Sequence, residues 1–221
     1  MPRESFERHL SELQNEVLVL GLMVEKAIYR SIETLKQRDL KAAEQVIADD
    51  LNINQKRHDI EEECIELIAT QQPMAGDLRV IVAVLDIISN LERMADHAEG
   101  IAKITLMIGD EPPLKPLIDI PRMAEKARDM LRRSLSAFTG RDIDSAKQIC
   151  AEDDEVDNLY DQVYRELLTF MIEDPRTITR ATRLIWVAHN LERIADRVTN
   201  ICERVVFMVT GKIEEIGSSK Y

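Results

Sequence analysis

Carboxylates recur along this chain in pairs four residues apart. Glu92 and Asp96 lie in "NLERMADHAEGIA", and Glu192 and Asp196 lie in "NLERIADRVTNIC". Asp153 and Asp157 lie in "DDEVDNLY", and Asp50 with Asn54 holds the matching place in the first half. Four residues make just over one helical turn, so each pair presents its oxygens on one side of a helix. Like charges at that spacing cost a few tenths of a kcal/mol in an isolated helix. Two compensators fit such groups. One is Arg or Lys from a neighbouring helix; the other is a metal ion. Carboxylate oxygens are hard ligands suited to magnesium, manganese or iron, and two pairs on adjacent helices would supply four of them.

Other site chemistries find little in the sequence. None of the four histidines has Glu three residues before it, as a ferritin-like di-iron bundle requires. The reversed order at His9-Glu12, His58-Glu61 and His189-Glu192 reads as pairing on a helix face. No HExxH, Walker loop, GxSxG or dinucleotide fingerprint occurs. Cys64, Cys150 and Cys202 include no CxxC spacing and read as buried free thiols in a reducing compartment. Trp186 and the nine methionines read as core filler.

The elements that must carry the carboxylates are helices. Only 4% of residues are aromatic, with seven glycines and seven prolines among 221 residues. Leu, Ile, Ala, Glu and Arg dominate, which favours long helices. At 100° per residue Leu91, Met94, Ala95, Ala98, Ile101 and Ala102 form an apolar stripe, with Glu92 and Asp96 to one side. Leu191, Ile194, Ala195, Val198, Ile201 and Cys202 repeat it, beside Glu192 and Asp196. Asp153 and Asp157 interrupt a stripe from Ala146, Ile149 and Cys150 to Tyr160, Tyr164, Leu167, Leu168 and Met171. Asp50 and Asn54 interrupt one from Ala43, Val46 and Ile47 to Cys64, Ile65 and Ile68. A charge left buried and unpaired there would be very costly.

Punctuation divides the chain at "QQPMAGD", at "EDPRT" and at the proline-rich "GDEPPLKPLIDIP". Pro121 suits the first turn of a new helix. Shorter breaks fall near Arg38-Asp39 and Gly140-Arg141-Asp142, where Asp can cap. "RSIETLKQRDLKAAEQVIADDLNIN" aligns without gaps on "RSLSAFTGRDIDSAKQICAEDDEVD", an internal duplication. The sequence therefore predicts an all-α protein of six long helices in two tandem antiparallel three-helix bundles. The repeats are assigned to residues 1–110 and 122–212, with a linker at 111–121 and a tail at 213–221.

The net charge of −12 lacks the basic footprint that nucleic acid requires and fits a soluble acidic protein or one that gathers cations. No apolar run approaches the roughly 18 residues of a membrane span. The N-terminus has no apolar core for a signal peptide. A membrane role is expected to come through a partner, without direct insertion.

"QQPMAGDLR", "NLERMADHAEGIA", "DDEVDNLY", "EDPRTITRA" and "NLERIADRVTNICE", duplicated and in this order, resemble the PhoU family from about Phe6 to Met208. The resemblance implies two three-helix bundles in an elongated, often homodimeric cytoplasmic protein at the inner face of the membrane. It implies a non-enzymatic negative regulator of phosphate uptake and of the phosphate-starvation response. The implied partners are the ATP-binding subunit of the phosphate transporter and a phosphate-sensing histidine kinase. It further implies metal clusters, iron foremost, with manganese, magnesium or zinc as alternatives. The family's E(D)xxxD motifs map onto Glu92-Asp96, Asp153-Asp157 and Glu192-Asp196. Asp50 is followed by Asn54, which departs from the pattern and weakens the first-bundle site. A carboxylate-bridged metal-dependent enzyme and a metal-free helical scaffold are the competing readings.

Overall fold

The structure, a computed structural model, describes residues 2–216, and side chains from residue 6 onward. The last five residues of the expected tail lie outside the described residues. Helix α1 spans Pro2–Gln37, α2 Leu40–Gln71 and α3 Gly76–Ile108. The proline-rich segment follows. Then come α4 (Asp119–Gly140), α5 (Ile143–Ala151), α6 (Asp153–Glu173), a 3₁₀ turn (Pro175–Thr177) and α7 (Ile178–Thr210). Among the described residues there is no strand.

The expected breaks have clear local causes. Asp39 caps α2 by accepting a hydrogen bond from the Ala42 amide at 2.9 Å. Asp142 caps α5 by accepting one from the Ser145 amide at 3.0 Å. The residue before each cap, Arg38 or Arg141, has a φ of 56° or 54° and reverses the chain in the left-handed region. The duplication thus extends to backbone conformation. Pro121 sits in the first turn of α4, where its missing amide hydrogen is not needed.

One expected helix is two. The rod running from Ile143 to Glu173 is interrupted at Glu152. The acidic run behind it explains why the interruption is tolerated. Asp153, Asp154 and Glu155 occupy the first turn of α6, where carboxylates interact favourably with the helix dipole.

Within the first half α1, α2 and α3 pack on one another; within the second, α4, the α5–α6 rod and α7 do so. The halves meet where α3 packs on α7 and α1 packs on α4. Outer helix α2 touches only α1 and α3 among the described elements. Both third-helix stripes are buried throughout, and the apolar core runs continuously from one bundle into the other. Five side chains depart from their expected places. Ile65 is 58% exposed, Tyr164 40%, Trp186 49%, Met74 79% and Met107 54%, so none of them is core filler. The three cysteines are buried and free.

Candidate cation-binding clusters

Each half first neutralises one acidic residue and leaves the next. Arg133 on α4 donates to both oxygens of Glu152, at 2.8 and 2.7 Å, and the Lys126 ammonium adds a third bond at 2.7 Å. This holds the Glu152 carboxyl down to about 2. In the first half Arg30 makes the equivalent ion pair with Asp49, which also accepts from Gln45 at 2.8 Å. Those bonds, Gln45 foremost, lower the Asp49 carboxyl. The gapless repeat alignment sets Asp49 opposite Glu152 and Arg30 opposite Arg133, and that correspondence was the sequence signal for the pair.

The following residue turns inward. Asp153 is pushed up to about 7, by burial first and then by Asp196, Asp157, Asp154 and Glu192. Its Oδ1 is buried without a hydrogen-bond partner. Asp50 is buried and likewise raised, by burial and then by Glu99, Asp96 and Glu92. Asp50 Oδ2 accepts from Asn54 Nδ2 at 2.8 Å, while its Oδ1 and the Asn54 Oδ1 are orphaned. A cavity of about 250 Å³ opens beside Asp50, lined also by Lys26, Arg30, Asp49 and Glu99.

The seven expected ligands therefore fall into two groups. Asp50 is set among Glu92 and Asp96, joined by Glu99. Asp153 is set among Asp157, Glu192 and Asp196. In the second group Glu192 is buried, which raises its carboxyl against the lowering pull of His189. Burial raises Asp196 as well, opposed by Arg193, Arg197, His189 and His97.

Each group gathers oxygen donors of the kind a hard cation takes, with orphaned oxygens on Asp50 and Asn54 in the first and on Asp153 in the second. Among the described residues no three His, Cys, Asp or Glu side chains already stand close enough to grip an ion. Some members are paired within the chain. Arg193 pairs with Asp196 at 2.7 Å, and Lys103 pairs with Glu99 at 2.6 Å. His189, which the sequence marks only as a helix-face pair, reaches Glu192 at 2.9 Å and stands beside Tyr160.

The two groups flank the α3–α7 seam, which is antiparallel and polar. Asn200 donates to Asn90 at 3.1 Å, and Arg204 pairs with Asp86 at 3.2 Å. At the other end Asn190 Nδ2 donates to the Trp186 carbonyl, which turns its Oδ1 toward His97 Nδ1 at 2.9 Å. His97 Nδ1 is therefore the donor. Gly100 stands in close contact with Asn190, 3.2 Å separating its would-be Cβ from Oδ1, and thereby lets the helices approach.

The PhoU domain family matches residues 17–105 and 120–205, one match per bundle. A phosphate-specific transport system accessory protein PhoU homolog of Clostridium acetobutylicum is 40% identical over 213 residues, 96% of this chain and 97% of that protein. A homolog of the same name from Aquifex aeolicus is 41% identical over 206 residues, 93% of each. Among solved structures, the phosphate transport system regulatory protein PhoU from Streptococcus pneumoniae superposes with a TM-score of 0.88. Its identity is 32%, over 95% of this chain and 99% of that one. PhoU from Pseudomonas aeruginosa gives 0.88 at 33% identity, over 94% and 100%.

Proposed function

The chain belongs to the PhoU family, and we propose that it is a cation-loaded, non-enzymatic accessory regulator of a phosphate transport system. In this reading it works as a homodimer at the cytoplasmic face of the membrane. It engages the transporter's ATP-binding subunit and a phosphate-sensing histidine kinase, and it damps uptake and the starvation response when phosphate is plentiful. The names of its relatives support the accessory role. No helix among the described residues is long and apolar enough to cross a membrane, which fits contact through partners.

One observation carries the cation part of the reading. In both halves an arginine neutralises Asp49 or Glu152, while the adjacent Asp50 or Asp153 is left among other acids with an orphaned oxygen. A bound cation supplies the missing positive charge there. Asp153 and Asp157 on α6 with Glu192 and Asp196 on α7 would hold it, tying the α5–α6 junction to the helix that forms the seam. Iron leads as the occupant, with manganese, magnesium and zinc behind it.

Elemental analysis of purified wild type and of Asp153→Asn/Asp157→Asn tests this. The double variant should lose most of the cation held by the second bundle while keeping its helicity. Unchanged metal content would defeat the cation reading. Affinity capture from phosphate-replete cells should recover the ATPase subunit or the kinase; recovery of neither would defeat the regulatory one.

A further inference from the structure

The outer face of the α3–α7 seam carries a cluster of positive charge that the acidic groups do not absorb. Asn90 meets Asn200 and Gly100 meets Asn190 across the antiparallel pair. Residues between those contacts face one another, which sets Arg93 opposite Arg197 and His97 opposite Arg193. Arg193 is committed to Asp196. The chain has 41 acidic residues against 29 Lys and Arg, so an arginine without a carboxylate partner is unexpected. Yet among the described residues no ion pair or hydrogen bond holds the side chain of Arg93 or Arg197, and Arg197 Nε is buried and unsatisfied. The like charges of Arg93 and Arg193 stand near Arg197, with Asp196 the nearby opposing charge. Mutual repulsion of this kind is relieved by an anion. Guanidinium groups match a tetrahedral oxyanion with paired N–H donors.

We propose that Arg93, Arg193 and Arg197, with His97 at the edge, form a binding site for inorganic phosphate on the α3–α7 seam. The site lies between the carboxylate clusters and meets the second through the Arg193–Asp196 ion pair. The choice of phosphate among oxyanions rests on the proposed link to phosphate transport; the anion site itself does not. Occupancy would join the two bundles across their shared seam and give the regulator a direct reading of phosphate.

Titration calorimetry with inorganic phosphate tests this, on protein as purified and after chelator treatment, with sulfate as the competing ion. Wild type should bind saturably in both preparations. Losing one charged hydrogen-bonding partner should weaken binding about tenfold, so Arg93→Met and Arg197→Met should each do so, and the pair should abolish it. Arg93 is exposed, so Arg93→Met decides the matter if Arg197→Met fails to fold. Asp153→Asn/Asp157→Asn should bind phosphate as wild type does, even if its cation is gone. No saturable binding by wild type, or wild-type affinity in the arginine variants, would overturn the proposal. Binding lost only in the Asp153→Asn/Asp157→Asn variant would place phosphate on a cation of the acidic cluster and also overturn it.

Discussion

Arg133 clasps Glu152 through two parallel hydrogen bonds of 2.7 and 2.8 Å, at the one residue that separates α5 from α6. The clasp fixes where α6 begins and hence where Asp153 points. Replacing Arg133 with Met keeps much of the side-chain bulk and removes the bonds. The expected cost is about 1–2 kcal/mol, since hydrogen bonds to charged groups contribute that much when partly screened. Cation content of the second bundle should fall with it, although Arg133 touches none of the four ligands. Urea unfolding and elemental analysis of the same preparations check both; stability lost with full metal retained would separate the clasp from the site.

Acidity gives a second expectation, for metal-stripped protein. Asp153 is pushed up to about 7, while an unfolded aspartate titrates near 3.9. Between those values the folded chain holds a proton that the unfolded chain has released. Stability from this group therefore falls as pH rises from about 4 to about 7. Asp50, Glu192 and Asp196 are raised too and act in the same sense. Glu152 acts oppositely, but its contribution is complete above about 4.5 and is lost only as pH falls toward 2. The metal-stripped chain should melt lower at about pH 7.5 than at about pH 5.5, and Asp153→Asn should flatten the difference. Thermal melts at the two pH values decide; a higher melting point at the higher pH would contradict the assignment. Loading should show the reverse trend, because a cation competes with the proton and binds better as pH rises.

The asymmetry of the two clusters is testable by restoring the missing carboxylate. Asn54 occupies the place that Asp157 holds in the second bundle, and its amide neutralises nothing. Asn54→Asp should destabilise the metal-free protein, since it adds charge beside the buried Asp50. It should also tighten cation binding in the first bundle, about tenfold for each 1.4 kcal/mol of added attraction. Metal titration of this variant on the Asp153→Asn/Asp157→Asn background isolates the first site. Equal affinity with Asn or Asp would show that this position is not a ligand.

Much of this arrangement was legible in the sequence because burial imposes a period. The stripes from Leu91 to Ala102 and from Leu191 to Cys202 are buried as read, and the caps at Asp39 and Asp142 fall where their side chains can reach an amide. The break at Glu152 was hidden, since glutamate is a good helix former and nothing local demands a stop. Ile65 and Tyr164 face solvent because the true stripes run through Ile53, Ile60, Cys64 and Leu67, and through Val156, Val163 and Leu167. The seam was hidden for another reason. Asn90, Asn190, Gly100 and His97 sit on the polar sides of their helices, and only the packing of α3 on α7 shows that these sides meet.

The second contact between the halves, α1 against α4, depends on Gly21. A Cβ at that position would overlap Cδ1 of Leu135, a buried side chain on α4. Gly21→Ala therefore sets two effects against each other. Alanine favours the helix by about 1 kcal/mol over glycine. Overpacking a tight contact costs about 1–3 kcal/mol, and Leu135 has little room to swing aside because it is 6% exposed. The overlap should win, leaving Gly21→Ala less stable by about 1 kcal/mol. Leu135→Ala alone should cost about 2–4 kcal/mol by opening a cavity. The double variant should be more stable than Leu135→Ala, because the methyl group added by Gly21→Ala fills part of that space and the two changes are coupled. Urea unfolding of the four proteins measures the cycle, and the continuous core should keep each curve a single transition. A Gly21→Ala protein more stable than wild type would show that α1 and α4 are free to part.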